Sequence, residues 1–172
     1  MEKYKDGYMF VTKTIKLTDK SNDYYGNCRA IIIKDGKMVA MHRVKKGDEF
    51  YVTPGGHKEK GEDDYTCCKR EVMEEFGIEV EPKKIIYECT FNNLHQCYIV
   101  CDWIGGEVHI TDGEEYDRMT EENQYYPETI DIVDLENIDF RPAEIKEQLI
   151  ADLKNYDSLE QVEFKVFEVT KK

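Results

Sequence analysis

Apolar positions along the chain change period several times, and each change marks an element. The stretch "CRAIIIKDGKMVAMHRV" sets two apolar runs on either side of "KDGK", and Asp-Gly is a strong two-residue hairpin signal. "FYVTPGG" reads as a short strand running into a Pro-Gly-Gly turn. Over residues 62–76 the period lengthens: Tyr65, Cys68 or Lys69, Val72 and Phe76 make one helical stripe, and Gly77 stops it. "KKIIYECTF" and "HQCYIVCDWI" return to strand patterning, after which Gly105-Gly106 turns the chain into "EVHI". Residues 111–124 are polar and acidic and read as a long loop, or a loop with one turn. "TIDIVDL" reads as a strand. "RPAEIKEQLIADLKNY" reads as an amphipathic helix with Pro142 in its first turn. The closing "QVEFKVFEV" alternates like a strand, with a frayed helix as the alternative. Strands interleaved with two helices predict an α/β fold in layers.

Composition narrows this picture. The 172 residues suit a single domain, 1–172, without an internal repeat or a low-complexity linker. A chain of this length buries roughly 70% of its unfolded surface, so it folds without a disulfide or metal staple. The formal net charge of −13 argues against gripping a nucleic-acid duplex, whose phosphates reward a basic face. It also repels a phosphorylated small molecule unless divalent cations invert the local field. No apolar run reaches membrane-spanning length, and "MEKYKDGYMF" has no apolar signal region, so a cytoplasmic protein is expected. Six cysteines show no metal-binding spacing. Cys97 and Cys101 share one face of a predicted strand, and the set reads as small core residues in a reducing compartment, with a disulfide as the alternative.

The chemistry concentrates in "REVMEEFGI". Glu71, Glu74 and Glu75 stand at i, i+3 and i+4, so a helix puts all three carboxylates on one face, where they repel. Clustered carboxylates offer oxygen-only ligands, which suit Mg²⁺ or Mn²⁺, and such a cation offsets the repulsion. The Gly55-Gly56 turn lets backbone carbonyls approach an ion with no Cβ in the way. Arg70 is placed to pair with a glutamate and hold its rotamer. The wider segment, residues 56–78, fits G-x5-E-x7-R-E-U-x-E-E-x-G-U, with U bulky and apolar, at Gly56, Glu62, Arg70, Glu71, Val72, Glu74, Glu75, Gly77 and Ile78. At average residue frequencies a chance match is rarer than roughly one in 10⁵ chains.

In that segment the chain resembles the Nudix hydrolases, whose defining box this is. The flanking strands and the last helix agree with the family's α/β/α sandwich on a mixed central sheet, extending the resemblance to most of the chain. It implies metal ligation by the Gly55 carbonyl, Glu71, Glu74 and Glu75, with Mg²⁺ or Mn²⁺ as cofactor. It implies orientation of the glutamates by Arg70 and support of the metal site or its water network by Glu62. The implied reaction is attack of a metal-activated water on a diphosphate linked to another group. A further carboxylate is expected in "TDGEEYDRMTEEN", with Glu115 ahead of Glu114 as metal ligand or base.

The box leaves the linked group open. The array associated with NADH substrates is absent, as is the proline that ADP-ribose enzymes carry beyond the box. "FNNLHQC" also lacks the tyrosine associated with dinucleoside polyphosphates, and the coenzyme A signature does not fit upstream. Arg43, Lys45 and Lys46 in "HRVKKGD" are candidate phosphate contacts, and Tyr125 and Tyr126, Tyr126 foremost, candidates for stacking a base. The expected partner is a nucleotide-type diphosphate bound by a monomer or homodimer. Two alternatives remain: a non-catalytic nucleotide-sensing domain, or another chemistry on the same fold such as isopentenyl diphosphate isomerisation.

Overall fold

The computed structural model describes residues 26–91 and 94–169, and "MEKYKDGYMF" lies outside them. Strands β1 (Asn27–Lys34), β2 (Lys37–Lys45), β3 (Asp48–Val52), β4 (Ile78–Phe91), β5 (Leu94–Gly106), β6 (Asn123–Asp131) and β7 (Lys165–Glu168) form a mixed sheet. Helix α1 (Asp64–Phe76) covers one face and α3 (Ala143–Asn155) the other, with a single turn, α2 (Glu114–Asp117), between β5 and β6. This is the expected α/β/α sandwich. Among the described residues no helix is long and apolar enough to cross a membrane.

The β1–β2 turn forms as its sequence demands: Asp35 and Gly36 both have positive φ, 51° and 74°, the combination a tight two-residue hairpin requires. Alternation along β1 then sorts its side chains. Cys28, Ala30 and Ile32 pack with Cys68, Val72 and Phe76 of α1, while Ile31 packs with Ile145 and Leu149 of α3. All six cysteines are buried free thiols, Cys97 and Cys101 both in the α1-side core. Helix α1 is closed at both ends. Asp63 accepts from Thr66 N at 2.7 Å, and Gly77, at φ 68°, returns its N–H to Met73 O.

Strand β1 joins the two halves of this sheet, and its splay from β2 opens the molecule. Its residues 27–32 run parallel to β5 (Asn27↔Gln96 to Ile32↔Cys101), but only Ile33 and Lys34 register with β2. On the β2 side, Cys28 N and Ala30 N bond instead to Gly56 O and Pro54 O, at 3.0 and 2.8 Å. The loop after β3 is thereby inserted between splayed strands.

Four expectations are corrected. The strand expected at "TIDIVDL" lies earlier, at Asn123–Asp131, where it pairs with all of β2 from Lys37↔Asp131 to Lys45↔Asn123; Ile132–Asn137 is a 3-10 helix. Tyr65, placed on the buried stripe of α1, is 41% exposed, because the stripe that packs is Cys67, Cys68, Val72 and Phe76. Pro142 precedes the first turn of α3 as its cap residue. The terminal strand shortens to four residues.

Candidate active site

A cleft of about 650 Å³ opens where the β3–α1 loop meets α1, and Gly55, Gly56, Arg70, Glu71, Glu74 and Glu75 line it. Gly55 has φ 135°, and a Cβ there would stand 2.1 Å from Cys28 O. A Cβ on Gly56 would come within 2.7 Å of the Glu71 carboxylate. Both positions therefore need glycine, one for backbone conformation and one for close approach. Their absence of side chains lets α1 lay its carboxylates against the loop.

Arg70 gathers the acidic groups. Its Nε and Nη2 donate to Glu62 at 2.9 Å each, Nη1 donates to Glu71 at 2.9 Å and Glu74 at 3.1 Å, and Nη2 also donates to His57 O at 2.9 Å. The guanidinium hydrogen bonds hold the Glu62 carboxyl below the usual carboxylate range, against the opposing effect of its partial burial. Glu75, 7% exposed, accepts Gly55 N at 2.8 Å. The Gly55 carbonyl accepts Arg29 Nη1 at 2.9 Å, its one hydrogen bond among the described residues, and a carbonyl oxygen has a second lone pair. His57, bonded through Nδ1 to Asn27, is held below its ordinary pKa by burial and by the Arg29 charge.

The donor set is oxygen-only and fits a hard divalent cation, and Arg70 Nη1, shared between Glu71 and Glu74, stands in for part of the positive charge such a cation supplies. Among the described residues no three acidic, His or Cys side chains are already grouped as a metal cage.

The segment after β5 caps the far end of α1. Thr111 Oγ1 donates to Glu74 O, Tyr116 Oη donates to Glu75 O at 2.5 Å, and His109 N donates to Phe76 O at 3.2 Å. These bonds satisfy carbonyls that the helix terminus leaves open. They bring Glu114 of α2, and Arg118 just after it, to the rim of the cleft. Glu114 pairs with Arg118 at 2.7 Å, and the Glu115 side chain lies outside what the structure describes.

The remaining expected contacts separate. Arg43 lines the cleft, its guanidinium 3.7 Å from the Tyr125 ring centre and its Nη2 on Asn123 Oδ1 at 3.0 Å. Lys45 is exposed at the end of β2, away from the cleft. Tyr126 packs beside His42 and bonds Gln124, so Tyr125 rather than Tyr126 faces the cleft. Glu62 supports Arg70 from outside the lining.

A second cavity of about 550 Å³ lies on the α3 side, lined by Phe50, Gln96, Tyr98, Arg141, Glu144 and Glu147 among others. Arg29, Val52 and Thr53 line both cavities. Sequence reasoning passed over Arg29, whose signal was a guanidinium inside an apolar strand run, where a charge is costly to bury without a purpose.

A family model described as NUDIX domain matches residues 25–153. The chain belongs to the NUDIX domain family. With the complete box in place it is a Nudix hydrolase. Its fold is similar to that of an ADP-ribose pyrophosphatase from Streptococcus suis, at 17% identity and TM-score 0.55 over 83% of this chain and 96% of that one. It is also similar to a NUDIX hydrolase from Nitrosomonas europaea, at 17% identity and TM-score 0.58 over 84% of this chain and 78% of that one. A third similar fold is that of a MutT protein from Bacillus halodurans, at 15% identity and TM-score 0.56 over 83% and 88%.

Proposed function

We propose that this Nudix hydrolase cleaves a diphosphate that links a nucleoside to another group, with Mg²⁺ or Mn²⁺ held by the Gly55 carbonyl, Glu71, Glu74 and Glu75. The observation that carries the reading is the sharing of Arg70 among Glu62, Glu71 and Glu74, which leaves Glu71, Glu74 and Glu75 as a surplus of negative charge lining one cleft. When bound, the cation neutralises the leaving phosphate and lowers the pKa of the attacking water. Arg70 holds Glu71 and Glu74 in the rotamers that face the cleft, and Glu62 anchors Arg70 from behind. Arg43, stiffened by its stack on Tyr125, meets a substrate phosphate. Glu115, on the α2 turn that Thr111 and Tyr116 tie to the end of α1, supplies a further carboxylate as ligand or proton acceptor.

The nucleoside is seated in the second cavity, which shares Arg29, Val52 and Thr53 with the acidic cleft. One fold neighbour is an ADP-ribose pyrophosphatase, and ADP-ribose carries a nucleoside beyond the diphosphate. The reading is tested by assaying nucleoside triphosphates, nucleotide sugars, ADP-ribose, dinucleoside polyphosphates and capped RNA with and without Mg²⁺. Metal-dependent release of a nucleoside monophosphate from at least one class is expected. A folded protein inactive on every class would favour the ligand-sensing alternative.

A further inference from the structure

We propose that Arg29 binds the phosphate nearest the nucleoside, so that one guanidinium joins the diphosphate in the acidic cleft to the group in the second cavity. This rests on the diphosphohydrolase reading above. The placement follows from the sheet. Arg29 shares the α3-side parity of Ile31, but β1 has left β2 at this level, and the gap admits the guanidinium to both cavities.

Two of its three nitrogens are committed. Nε donates to Gln96 Oε1 at 3.0 Å, and Nη1 donates to Gly55 O at 2.9 Å and sits 3.5 Å from Thr53 O. Among the described residues Nη2 makes no hydrogen bond, and Arg29 lines both cavities. Three anchored bonds fix the plane of the fork and aim the remaining donor, which a lysine's single flexible ammonium cannot reproduce.

Charge matching points to the same residue, together with Arg43. Lys58 pairs with Asp64 at 2.9 Å, Arg118 with Glu114 at 2.7 Å, and Arg70 with Glu62, Glu71 and Glu74. Among the described residues, Arg29 and Arg43 are the cleft cations with no carboxylate partner, in a chain of net charge −13. Leaving two partly buried guanidiniums unmatched costs desolvation that an arriving anion offsets. Beyond Arg29 the second cavity carries Asp139, Glu144 and Glu147 against one further cation, Arg141, which is already paired with Asp48 and Asp139, so its wall is net acidic and repels phosphate. The anion is therefore stopped at the boundary, at Arg29, and the cavity beyond takes an uncharged sugar or base.

The test uses the metal-free protein at low ionic strength, where Arg29 is read without the cation. Calorimetry would compare the four ribonucleoside 5′-monophosphates with the four matching nucleosides in wild type, Arg29→Gln and Arg29→Lys. Loss of one charge-assisted bond should weaken the best-bound monophosphate roughly tenfold or more in Arg29→Gln, with its nucleoside held within about twofold. Arg29→Lys, which keeps the charge and carries the comparison if the glutamine variant melts early, should lose only a few-fold, and again for the monophosphate alone. An equal loss for nucleoside and monophosphate would make Arg29 a loop support and overturn the proposal, as would unchanged monophosphate affinity in Arg29→Gln. Wild-type protein that binds none of the eight compounds would instead overturn the nucleotide reading on which it rests.

Discussion

The two faces of the sheet each bury carboxylate, and they treat it in opposite ways. On the α3 side, Asp152 is 2% exposed and takes four bonds: two from Lys165 at 2.7 and 2.9 Å, one from Tyr87 at 2.5 Å and one from Gln148 at 3.0 Å. One negative charge meets one positive charge and two neutral donors. On the α1 side, one guanidinium is divided among Glu62, Glu71 and Glu74, with Glu75 beside them on a backbone amide. A balanced network holds a fold together, whereas an unbalanced one stores repulsion that only an external cation relieves. Each cluster holds a buried carboxylate, Asp152 on one face and Glu75 on the other, and the charge count sets them apart.

The comparison breaks most visibly if the clusters are disabled in turn. Glu74→Gln keeps the size of the side chain and removes one charge. On the proposed reading this removes a metal ligand and should cost roughly 10²-fold or more in turnover on the true substrate, with little change in melting temperature. Near wild-type turnover in that variant would remove the α1 cluster from the chemistry. Asp152→Asn should show the reverse pattern: stability in urea lower by about 2–3 kcal/mol, because Lys165 is left with a weaker partner, and unchanged turnover. A large loss of turnover in folded Asp152→Asn would show that the α3 face is part of the site.

Adding metal sharpens the same contrast. A cation that binds only the folded cleft stabilises by about 2.7 kcal/mol at a hundred times its dissociation constant, a melting shift on the order of 5–10 °C for a chain of this size. Mg²⁺ should produce such a shift in wild type and in Asp152→Asn, and none in the Glu71/Glu74/Glu75 triple Gln variant. Equal shifts in all three, followed by differential scanning fluorimetry, would place the cation elsewhere.

The α1 side was legible in the sequence because every level of organisation agrees there. Asp63 caps, Cys68, Val72 and Phe76 make the stripe, Gly77 ends the helix, and the charged positions fall on the other face. The hairpin of β1 and β2 was legible for the same reason. Strand β6 was misplaced because "NQYYPETID" has Pro127 in its middle and polar residues throughout, a poor strand by propensity. It forms through pairing with β2 across nine registered positions, a tertiary effect invisible to a local window, and as an edge strand it tolerates the proline. Arg29 and Tyr125 reach the cleft through the splay of β1 from β2 and the pairing of β6, neither of which leaves a local signature.

The smallest expected effect concerns Glu62, which stands behind the α1 cluster and distinguishes support from catalysis. Arg70 hydrogen bonds hold its carboxyl below the ordinary value, although partial burial pulls the other way. A depressed carboxylate contributes stability above its unfolded pKa, near 4.3, and loses that contribution as pH falls through the lower folded value. Glu62→Gln removes the charge while its amide oxygen still accepts from Arg70, and Arg70 keeps Glu71 and Glu74, so the cost at neutral pH is about 1 kcal/mol. In metal-free urea titrations the gap between wild type and variant should be constant above about pH 6 and close progressively below pH 4. A gap of the same size at every pH would show that the variant suffers from altered packing rather than from a lost ion pair, and that Glu62 does not hold Arg70 by charge.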